Sequence, residues 1–521
     1  MGFMNFFKVS EPAAVLVPAE KVQKKYKRMR FQTFLAGTFG YALYYVCRLS
    51  MGVMKQPLID AGLLNATQLG IIGACLYWAY ACGKFVNGFL CDGSNIKRFR
   101  ASGLIVSVAM NFIMGVLGVS ALKGGIANSA LFICFAVCWA LNGWSQSMGA
   151  PPAIIGLSRW FPLKIRGTFY GFFSSSHNIG EGLSFVFVGM LVAAFGWKWG
   201  FFGAALAGAL GVLIILFFLH DTPESKGLPP IEVLAGELKE EATLSAEEKR
   251  RQTKAMQKAV IKNPGVWILA LASAFMYMSR YAINEWGTIF LQEAKGYSLG
   301  EAAAIIGINP IFGIIGTVVS GWLSDFVFKG DRKYPAFVAG IIETIALAIF
   351  LFGRGWTWQI GAWTIVISDR VVMITAMVLF GIAIGVLISF LGGLMAVDLV
   401  PRQATGAALG IVGMASYAAA GLQNVVTGFL LDGNIITNAA GAQVHDYTYV
   451  SWFWLGAAII SFLLPVLNWK HISDSIEYQH PFGCSDSLRA SHPEGGRQTL
   501  QSHHVYSLGV CRCTTFHSVF I

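Results

Sequence analysis

The feature that most constrains this chain is a series of about twelve apolar runs, each close to the ~20 residues that a helix needs to cross a bilayer. They cover residues 31–54, 66–90, 101–122, 130–153, 167–194, 199–219, 265–291, 301–324, 334–353, 371–397, 405–431 and 450–469. Only 12% of the residues are charged, whereas soluble domains carry about 25%. A helix satisfies its own backbone groups within lipid. The sequence therefore predicts an all-α membrane protein with twelve transmembrane helices.

Basic residues are distributed unequally between alternate loops. With the N-terminus in the cytoplasm, the loops on that side hold 25 lysines and arginines, and the opposite loops hold six, among them Lys55. Loops that are rich in lysine and arginine remain in the cytoplasm. We therefore expect both termini inside, in the cell (inner) membrane. The positive charge then needs no nucleic acid partner.

A long polar segment rich in glutamate and lysine divides the runs into six and six. The predicted organisation is a cytoplasmic N-terminal segment (1–30), an N-terminal six-helix bundle (31–219), a cytoplasmic linker (220–264), a C-terminal six-helix bundle (265–469) and a disordered cytoplasmic tail (470–521). The N-terminal segment is basic and lacks the cleavage site of a signal peptide, so we expect it to be retained. No function is assigned to the tail.

The two halves repeat a spaced pair of markers. Gly88-Phe89-Leu90-Cys91-Asp92 corresponds to Gly321-Trp322-Leu323-Ser324-Asp325 at an offset of 233 residues. Arg48 corresponds to Arg280 at an offset of 232 residues. Such spacing indicates a duplicated six-helix unit, with the two copies related by an axis along the membrane normal. We therefore expect two pseudo-symmetric bundles in which Arg48 and Arg280 face each other at the same depth.

The two arginines are the strongest candidates for binding. An arginine inside a spanning helix costs about 2.5–3.5 kcal/mol on insertion scales, so it is retained where it meets water, a partner or a ligand. Neither Arg48 nor Arg280 has an acidic residue three or four positions away. Two unpaired guanidiniums favour a divalent anion such as phosphate, because the planar fork can bind two of its oxygens. The alternative is that both side chains extend to the membrane interface.

Lys84 adds a third positive charge, although it is also close enough to the cytoplasmic end of its run to extend to the interface. Four tyrosines precede these cations by one or two helical turns and share their helix faces. They are Tyr41, Tyr45, Tyr80 and Tyr277. Their hydroxyls are suited to a phosphate or sugar oxygen, and packing at the interface is the alternative.

His177 is the one histidine within a predicted span, and Glu181 follows it by four residues on the same helix face. We expect the Glu181 carboxylate to contact the imidazole and to offset part of the positive charge, which makes Glu181 a candidate for coupling. A structural histidine is the alternative. Glu343, in the ninth run, has no evident partner.

Several classes of chemistry are not predicted. Gly83-Lys84 is followed by Phe85, so the chain has no phosphate-binding loop of the GxxxxGK[ST] type. The cysteines over the body of the chain have no metal-ligand spacing, and neither a metal, a cofactor nor a disulfide framework is predicted. The expectation is a secondary transporter in the lipid bilayer, not an enzyme.

Longer motifs resemble the organophosphate:phosphate antiporters of the major facilitator superfamily, over about residues 25–470. They are Gly40-Tyr41-Ala42-Leu43-Tyr44-Tyr45-Val46-Cys47-Arg48, the segment Tyr80 to Gly88 around Lys84, Gln146-Ser147-Met148-Gly149-Ala150-Pro151-Pro152, Arg166-Gly167, His177-Asn178-Ile179-Gly180, Asp221-Thr222-Pro223-Glu224-Ser225-Lys226-Gly227-Leu228-Pro229-Pro230-Ile231-Glu232 and Tyr277-Met278-Ser279-Arg280-Tyr281-Ala282-Ile283-Asn284-Glu285-Trp286. The resemblance implies the major facilitator fold. It also implies exchange of a phosphate ester, of hexose phosphate or glycerol-3-phosphate type, for inorganic phosphate.

The resemblance further implies that Arg48 and Arg280 bind the phosphoryl group. The residues implied to line the cavity are Lys84, His177, Tyr45, Tyr80, Tyr277 and Tyr417. Two positions depart from the family pattern: Val386-Leu387-Ile388 replaces an aromatic-Gly-Pro sequence, and Glu181 replaces a residue that is commonly small. The organic half of the substrate therefore stays open. Two alternative functions also remain, a sugar-phosphate sensor that signals to a membrane kinase and a proton-coupled anion symporter that uses His177 and Glu181.

Overall fold

The computed structural model describes residues 6–92, 94–235, 256, 258–322, 327–328, 331–360, 363–400, 405–437 and 443–468. Most of the predicted linker, the predicted tail (470–521) and residues 323–325 of the second repeat marker lie outside these described residues.

Helices form most of the described chain. Before the linker they are α1 (Ala19–Asp60), α2 (Ala66–Asp92), α3 (Ile96–Leu122), α4 (Asn128–Gln146), α5 (Ala150–Trp160), α6 (Leu163–Leu183), α7 (Gly189–Phe195) and α8 (Lys198–Phe218). From the linker onward they are α9 (Ile231–Ala235), α10 (Pro264–Glu293), α11 (Leu299–Trp322), α12 (Lys333–Phe352), α13 (Asp369–Ser389), α14 (Met395–Asp398), α15 (Thr405–Asp432) and α16 (Thr448–Leu463). Short π-helical turns, Ser184–Val188 and Phe390–Leu394, follow α6 and α13.

Ten helical segments among the described residues are long and apolar enough to cross a membrane. They are Ile96–Leu122, Asn128–Trp160, Phe172–Phe195, Lys198–Phe218, Pro264–Glu293, Leu299–Ser320, Lys333–Phe352, Asp369–Leu394, Ala407–Asp432 and Thr448–Leu467. The other two predicted runs, 31–54 and 66–90, lie within α1 and α2, which have 42 and 27 residues but are not among the ten. Length and composition therefore indicate a multi-pass membrane protein.

The expectation of an all-α chain is corrected by two short antiparallel hairpins. Strand β1 (Trp356–Ile360) pairs with β2 (Trp363–Ile367), and β3 (Ile435–Thr437) pairs with β4 (Gln443–His445). These segments are rich in aromatic and β-branched residues, which favour strands. Both hairpins lie between candidate spans, so the protein is mostly helical.

The helices pack in the same pattern in the two halves. In the first half α1 packs on α6 and α8, α2 on α4, and α3 on α4 and α8. In the second half α10 packs on α15 and α16, α11 on α13, and α12 on α13 and α16. Between the halves, α2 contacts α15, α6 contacts α11 and α1 contacts α10. This recurrence is what a duplicated unit produces.

The halves contact each other closely near the C-terminal end of α1. A Cβ atom at Gly52 would lie 2.6 Å from the backbone oxygen of Asn284, so a glycine is needed for α1 and α10 to approach this far. Thr288 Oγ1 donates to the backbone oxygen of Gly52 at 2.6 Å. Towards the other end of α2, the side chain of Lys84 is exposed. The molecule is therefore closed at the end that carries the predicted outer loops.

Candidate functional site

Arg48 lies in α1 within a cage of tyrosine rings. Only 1% of its surface is exposed, so the side chain does not extend to the membrane interface. Its guanidinium carbon is 4.2 Å from the ring centroid of Tyr80 and 5.2 Å from that of Tyr417. Its Nη2 atom donates to the hydroxyl of Tyr281 at 3.3 Å. Tyrosine faces attract a cation, so this guanidinium is held by rings from both halves of the chain.

Arg280 lies in α10 and forms an ion pair with an acidic residue of the first half. Its Nη2 atom is 2.6 Å from Oε2 of Glu181 in α6, and the arginine is 4% exposed. The expectation of two unpaired guanidiniums is therefore wrong for Arg280. Spacing along α10 could not reveal this partner, because it comes from a helix about one hundred positions earlier.

The two arginines converge on Tyr281. Arg48 donates to its hydroxyl, and the guanidinium carbon of Arg280 is 5.6 Å from its ring centroid. The Nε atoms of both arginines are buried and have no hydrogen-bond partner within the described part of the chain. A buried donor without a partner is costly. These two donors therefore mark a place where an acceptor ligand can bind between the halves.

Seven tyrosines form a cluster with the arginines, in which six contact one or both of them and Tyr41 contacts Tyr45 at a centroid distance of 5.4 Å. They are Tyr41, Tyr45, Tyr77, Tyr80, Tyr277, Tyr281 and Tyr417. The centroids of Tyr80 and Tyr417 are 4.5 Å apart, and those of Tyr77 and Tyr281 are 4.6 Å apart. Sequence reasoning did not select Tyr77 or Tyr281. The signal was present, since Tyr77 lies one turn before Tyr80 and Tyr281 directly follows Arg280.

Lys84 lies beside this cluster and points to the second half. Its Nζ atom is 5.2 Å from the ring centroid of Tyr417 and 5.8 Å from that of Tyr80. A Cβ atom at Gly413 of α15 would lie 3.6 Å from the same Nζ. The side chain is exposed although its neighbours are buried. Lys84 therefore lies at the open margin of the cluster and faces α15.

The contact expected between His177 and Glu181 is replaced by a different arrangement. Glu181 accepts a hydrogen bond from Nδ2 of Asn284 at 2.7 Å on Oε1, while Oε2 pairs with Arg280. His177 is half-buried, with its ring centroid 6.0 Å from that of Tyr45. The carboxylate is thus directed across to α10, where a guanidinium and an amide donate to it, and His177 packs against α1.

Lys55, expected in an outer loop, is fully buried. Its Nζ atom is 3.1 Å from Oε2 of Glu285 and donates to Oδ1 of Asn424 at 3.1 Å. The hydroxyl of Tyr77 donates to Oε1 of Glu285 at 2.5 Å. The predicted run ended at residue 54, whereas α1 continues to Asp60, and this difference brings Lys55 into the helix.

Glu343, which has no evident partner in the sequence, accepts a hydrogen bond from the hydroxyl of Ser279. It is fully buried in α12.

The described residues contain no cluster of three or more His, Cys, Asp or Glu side chains that could hold a metal ion. The described site thus combines guanidinium, ammonium, phenol, imidazole and amide groups with the one carboxylate of Glu181, and this excess of cations and donors suits an anion.

Comparison with known proteins identifies the family. Residues 33–423 match the profile of the Major Facilitator Superfamily. A probable hexose phosphate transport protein of Chlamydia pneumoniae is 31% identical over 422 residues, which cover 79% of this chain and 88% of the relative. The glycerol-3-phosphate transporter of Bacillus subtilis is 31% identical and is aligned over 82% of this chain and 92% of the relative. The phosphoglycerate transporter protein of Salmonella typhimurium is 30% identical, with coverage of 77% and 82%.

A solved structure agrees at the level of the fold. The inward-facing structure of a bacterial homologue of the human lysosomal transporter Spinster superimposes with a TM-score of 0.61 at 18% identity, over 86% of this chain and 97% of that chain. The relatives confirm the sequence resemblance to the organophosphate:phosphate antiporters. The chain belongs to the Major Facilitator Superfamily.

Proposed function

We propose that the protein is a secondary transporter that exchanges an organic phosphate ester for inorganic phosphate. The ester is of the hexose phosphate or glycerol-3-phosphate type. The observation that carries the proposal is the convergence of Arg48 and Arg280, one from each half, on Tyr281, each with a buried Nε donor that is free among the described residues. The names of the Chlamydia and Bacillus relatives support this cargo.

The chemistry of the site matches a phosphoryl group. A guanidinium stays charged and can give parallel hydrogen bonds to two phosphate oxygens. Phenol hydroxyls both donate and accept, so they suit phosphate oxygens as well as the hydroxyls of a sugar or glycerol. We assign phosphoryl binding to Arg48 and Arg280. The lining residues in this proposal are Lys84, His177, Tyr41, Tyr45, Tyr80, Tyr277 and Tyr417, with Tyr77 and Tyr281 added from the structure.

The orientation in the membrane is part of the proposal. The proposed arrangement has twelve spans in two six-helix bundles, at about residues 31–219 and 265–469, in the inner membrane of the cell. Both termini then lie in the cytoplasm. The distribution of lysine and arginine between alternate loops supports this orientation. The contact at Gly52 then lies on the outer side. Lys84 faces the cytoplasmic side, from which phosphate would enter.

The charges of the site account for exchange. Arg48, Arg280 and Lys84 are offset only in part by Glu181, so positive charge from both halves disfavours closure around an empty site. A bound phosphoryl group that touches both arginines supplies the missing negative charge. Each crossing of the membrane then needs an anion, and inorganic phosphate returns as the ester enters. No nucleotide is required.

Substitution of the arginines tests the proposal. We expect Arg48→Lys and Arg280→Lys each to lower exchange by about 10–100-fold, because lysine keeps the charge but loses the planar fork. The measurement is uptake of labelled glucose 6-phosphate or glycerol 3-phosphate into proteoliposomes that contain phosphate. Arg370→Lys is the matched control, since that arginine is exposed and pairs with Glu301 outside the site.

Several outcomes would contradict exchange. Uptake that is indifferent to trapped phosphate, or that survives both arginine substitutions together, rules it out. Saturable binding without flux would identify a sensor instead. Uptake with a steep dependence on pH that is lost in Glu181→Gln would identify a proton symporter.

A further inference from the structure

We propose that Glu181 selects the charge of the cargo, so that the site accepts phosphate esters with an uncharged organic half and discriminates against esters that also carry a carboxylate. This inference rests on the proposed function, because it concerns the cargo of the same site. It adds a specificity-determining residue and narrows the class of substrate.

Glu181 is held firmly at the junction of the halves. It is 1% exposed, and its two oxygens have separate donors on α10: Arg280 at 2.6 Å and Asn284 at 2.7 Å. The side chain of Asn284 is itself oriented, since its Oδ1 accepts from Nδ2 of Asn309 at 3.3 Å. A carboxylate with two buried, directed hydrogen bonds is fixed in position. Glu181 therefore keeps its carboxylate beside Arg280.

The sum of the local charges matches a phosphate monoester. Arg48, Lys84 and Arg280 contribute three positive charges, and Glu181 contributes one negative charge, which leaves two. A phosphate monoester carries between about −1.5 and −2 near neutral pH. An ester with an additional carboxylate carries a further negative charge that no remaining cation of this group compensates. In a buried site this charge is also repelled by Glu181.

Among the described residues, the neighbouring buried acids Glu285 and Glu343 do not pair with the three cations of this group. Glu285 is paired with Lys55 at 3.1 Å, so that pair is neutral as a unit. Glu343 accepts a hydrogen bond from the hydroxyl of Ser279, which is a neutral group. Among these three acids, Glu181 is the one that pairs with a site arginine. The discrimination therefore depends on that carboxylate.

Two esters with the same carbon skeleton provide the test. Glycerol 3-phosphate and 3-phosphoglycerate differ in a terminal hydroxymethyl group against a carboxylate. The experiment measures inhibition of labelled phosphate exchange in proteoliposomes by each ester. We expect the inhibition constant of 3-phosphoglycerate for the wild-type protein to be at least about tenfold higher than that of glycerol 3-phosphate. In Glu181→Gln we expect the two inhibition constants to agree within about threefold. This ratio does not depend on how much of the protein is active.

Two further variants separate charge from structure. Glu181→Asp keeps the carboxylate and should retain the wild-type preference. Glu343→Gln removes a different buried acid and should leave the ratio unchanged. Equal inhibition of the wild-type protein by the two esters, or the same ratio in Glu181→Gln as in the wild type, overturns the role of Glu181 while phosphate-ester exchange stands. Failure of both esters to inhibit overturns the proposed function and this inference together.

Discussion

At the scale of single residues, substitution of the ion pair between Lys55 and Glu285 is expected to change the free energy of unfolding most among the positions outside the site. Both side chains are buried and they join α1 to α10, so removal of one partner leaves an uncompensated charge. We expect Lys55→Met to lower the free energy of unfolding by about 3–5 kcal/mol. Thermal unfolding in detergent, followed by tryptophan fluorescence, measures this loss.

The double variant Lys55→Met/Glu285→Gln serves as the control. Glutamine can still accept from Tyr77, and no charge is left alone, so the double variant should lose less stability than the sum of the two single variants. Arg370→Gln breaks an exposed pair and should change stability by about 0.5 kcal/mol or less. Additive effects at Lys55 and Glu285 would show that the two side chains do not interact.

The sequence predicts single buried charges better than it predicts their partners. Arg48 and Arg280 stand out because an arginine is costly in an apolar helix. The pairing of Arg280 with Glu181 could not be predicted, because it joins helices that are distant along the chain. Lys55 was misplaced for another reason, since a helix that continues beyond its apolar run leaves no signal in the hydropathy.

At the scale of elements, the carboxylate of Asp221 fixes the segment after α8 against α3, α5 and the N-terminal segment. Its Oδ1 accepts from the backbone nitrogen of Ile96 at 3.0 Å and from Nη1 of Arg159 at 2.6 Å, and its Oδ2 accepts from the backbone nitrogen of Ser10 at 2.7 Å. A carboxylate is favourable at the N-terminus of α3. The linker, the N-terminal segment and two helices are thereby joined at one side chain.

Substitution of this carboxylate should loosen that junction. In Asp221→Asn we expect the amides of Ser10 and Ile96 to exchange hydrogen about tenfold faster or more, because hydrogen bonds to a charged acceptor contribute about 1.5–3 kcal/mol each. Hydrogen exchange with mass spectrometry measures the effect. Asp369→Asn removes a carboxylate that accepts from Gly355 in the second half, and it should leave both amides unchanged. Equal acceleration in the two variants would indicate a general loss of stability.

At the scale of the whole molecule, the duplication could be predicted because charge and glycine markers repeat at nearly constant spacing. The helix pairs of one half recur in the other, as this spacing requires. The closure of one end could not be predicted, since it depends on contacts between the halves. One such contact is made by Asp432 of α15, which accepts from the backbone nitrogens of Ala66 at 3.1 Å and Thr67 at 2.7 Å at the start of α2.

The hairpin of β3 and β4 adds a titratable group to this closed end. Nδ1 of His445 is 2.8 Å from Oε2 of Glu293, and Nε2 is 3.8 Å from Oδ1 of Asp432. Burial by itself lowers the pKa of His445, but the hydrogen bond to Glu293 and the charges of Glu293 and Asp432 outweigh it, so the pKa is raised. The protonated imidazole therefore stabilises the positions of the Glu293 and Asp432 carboxylates. Asp432 in turn holds α2 against α15.

The sign of the pH dependence follows from this shift. The stabilisation is fully present below the ordinary histidine pKa of about 6.5 and is lost as the pH rises through the raised pKa. We expect the end that carries the predicted outer loops to open more often as the pH on that side rises from about 6 to about 8. Distances between genetically encoded spin labels at Lys123 and Arg354, in nanodiscs, should lengthen over that range. His445→Gln should remove most of the response, and an unchanged response in that variant would assign the titration to another group.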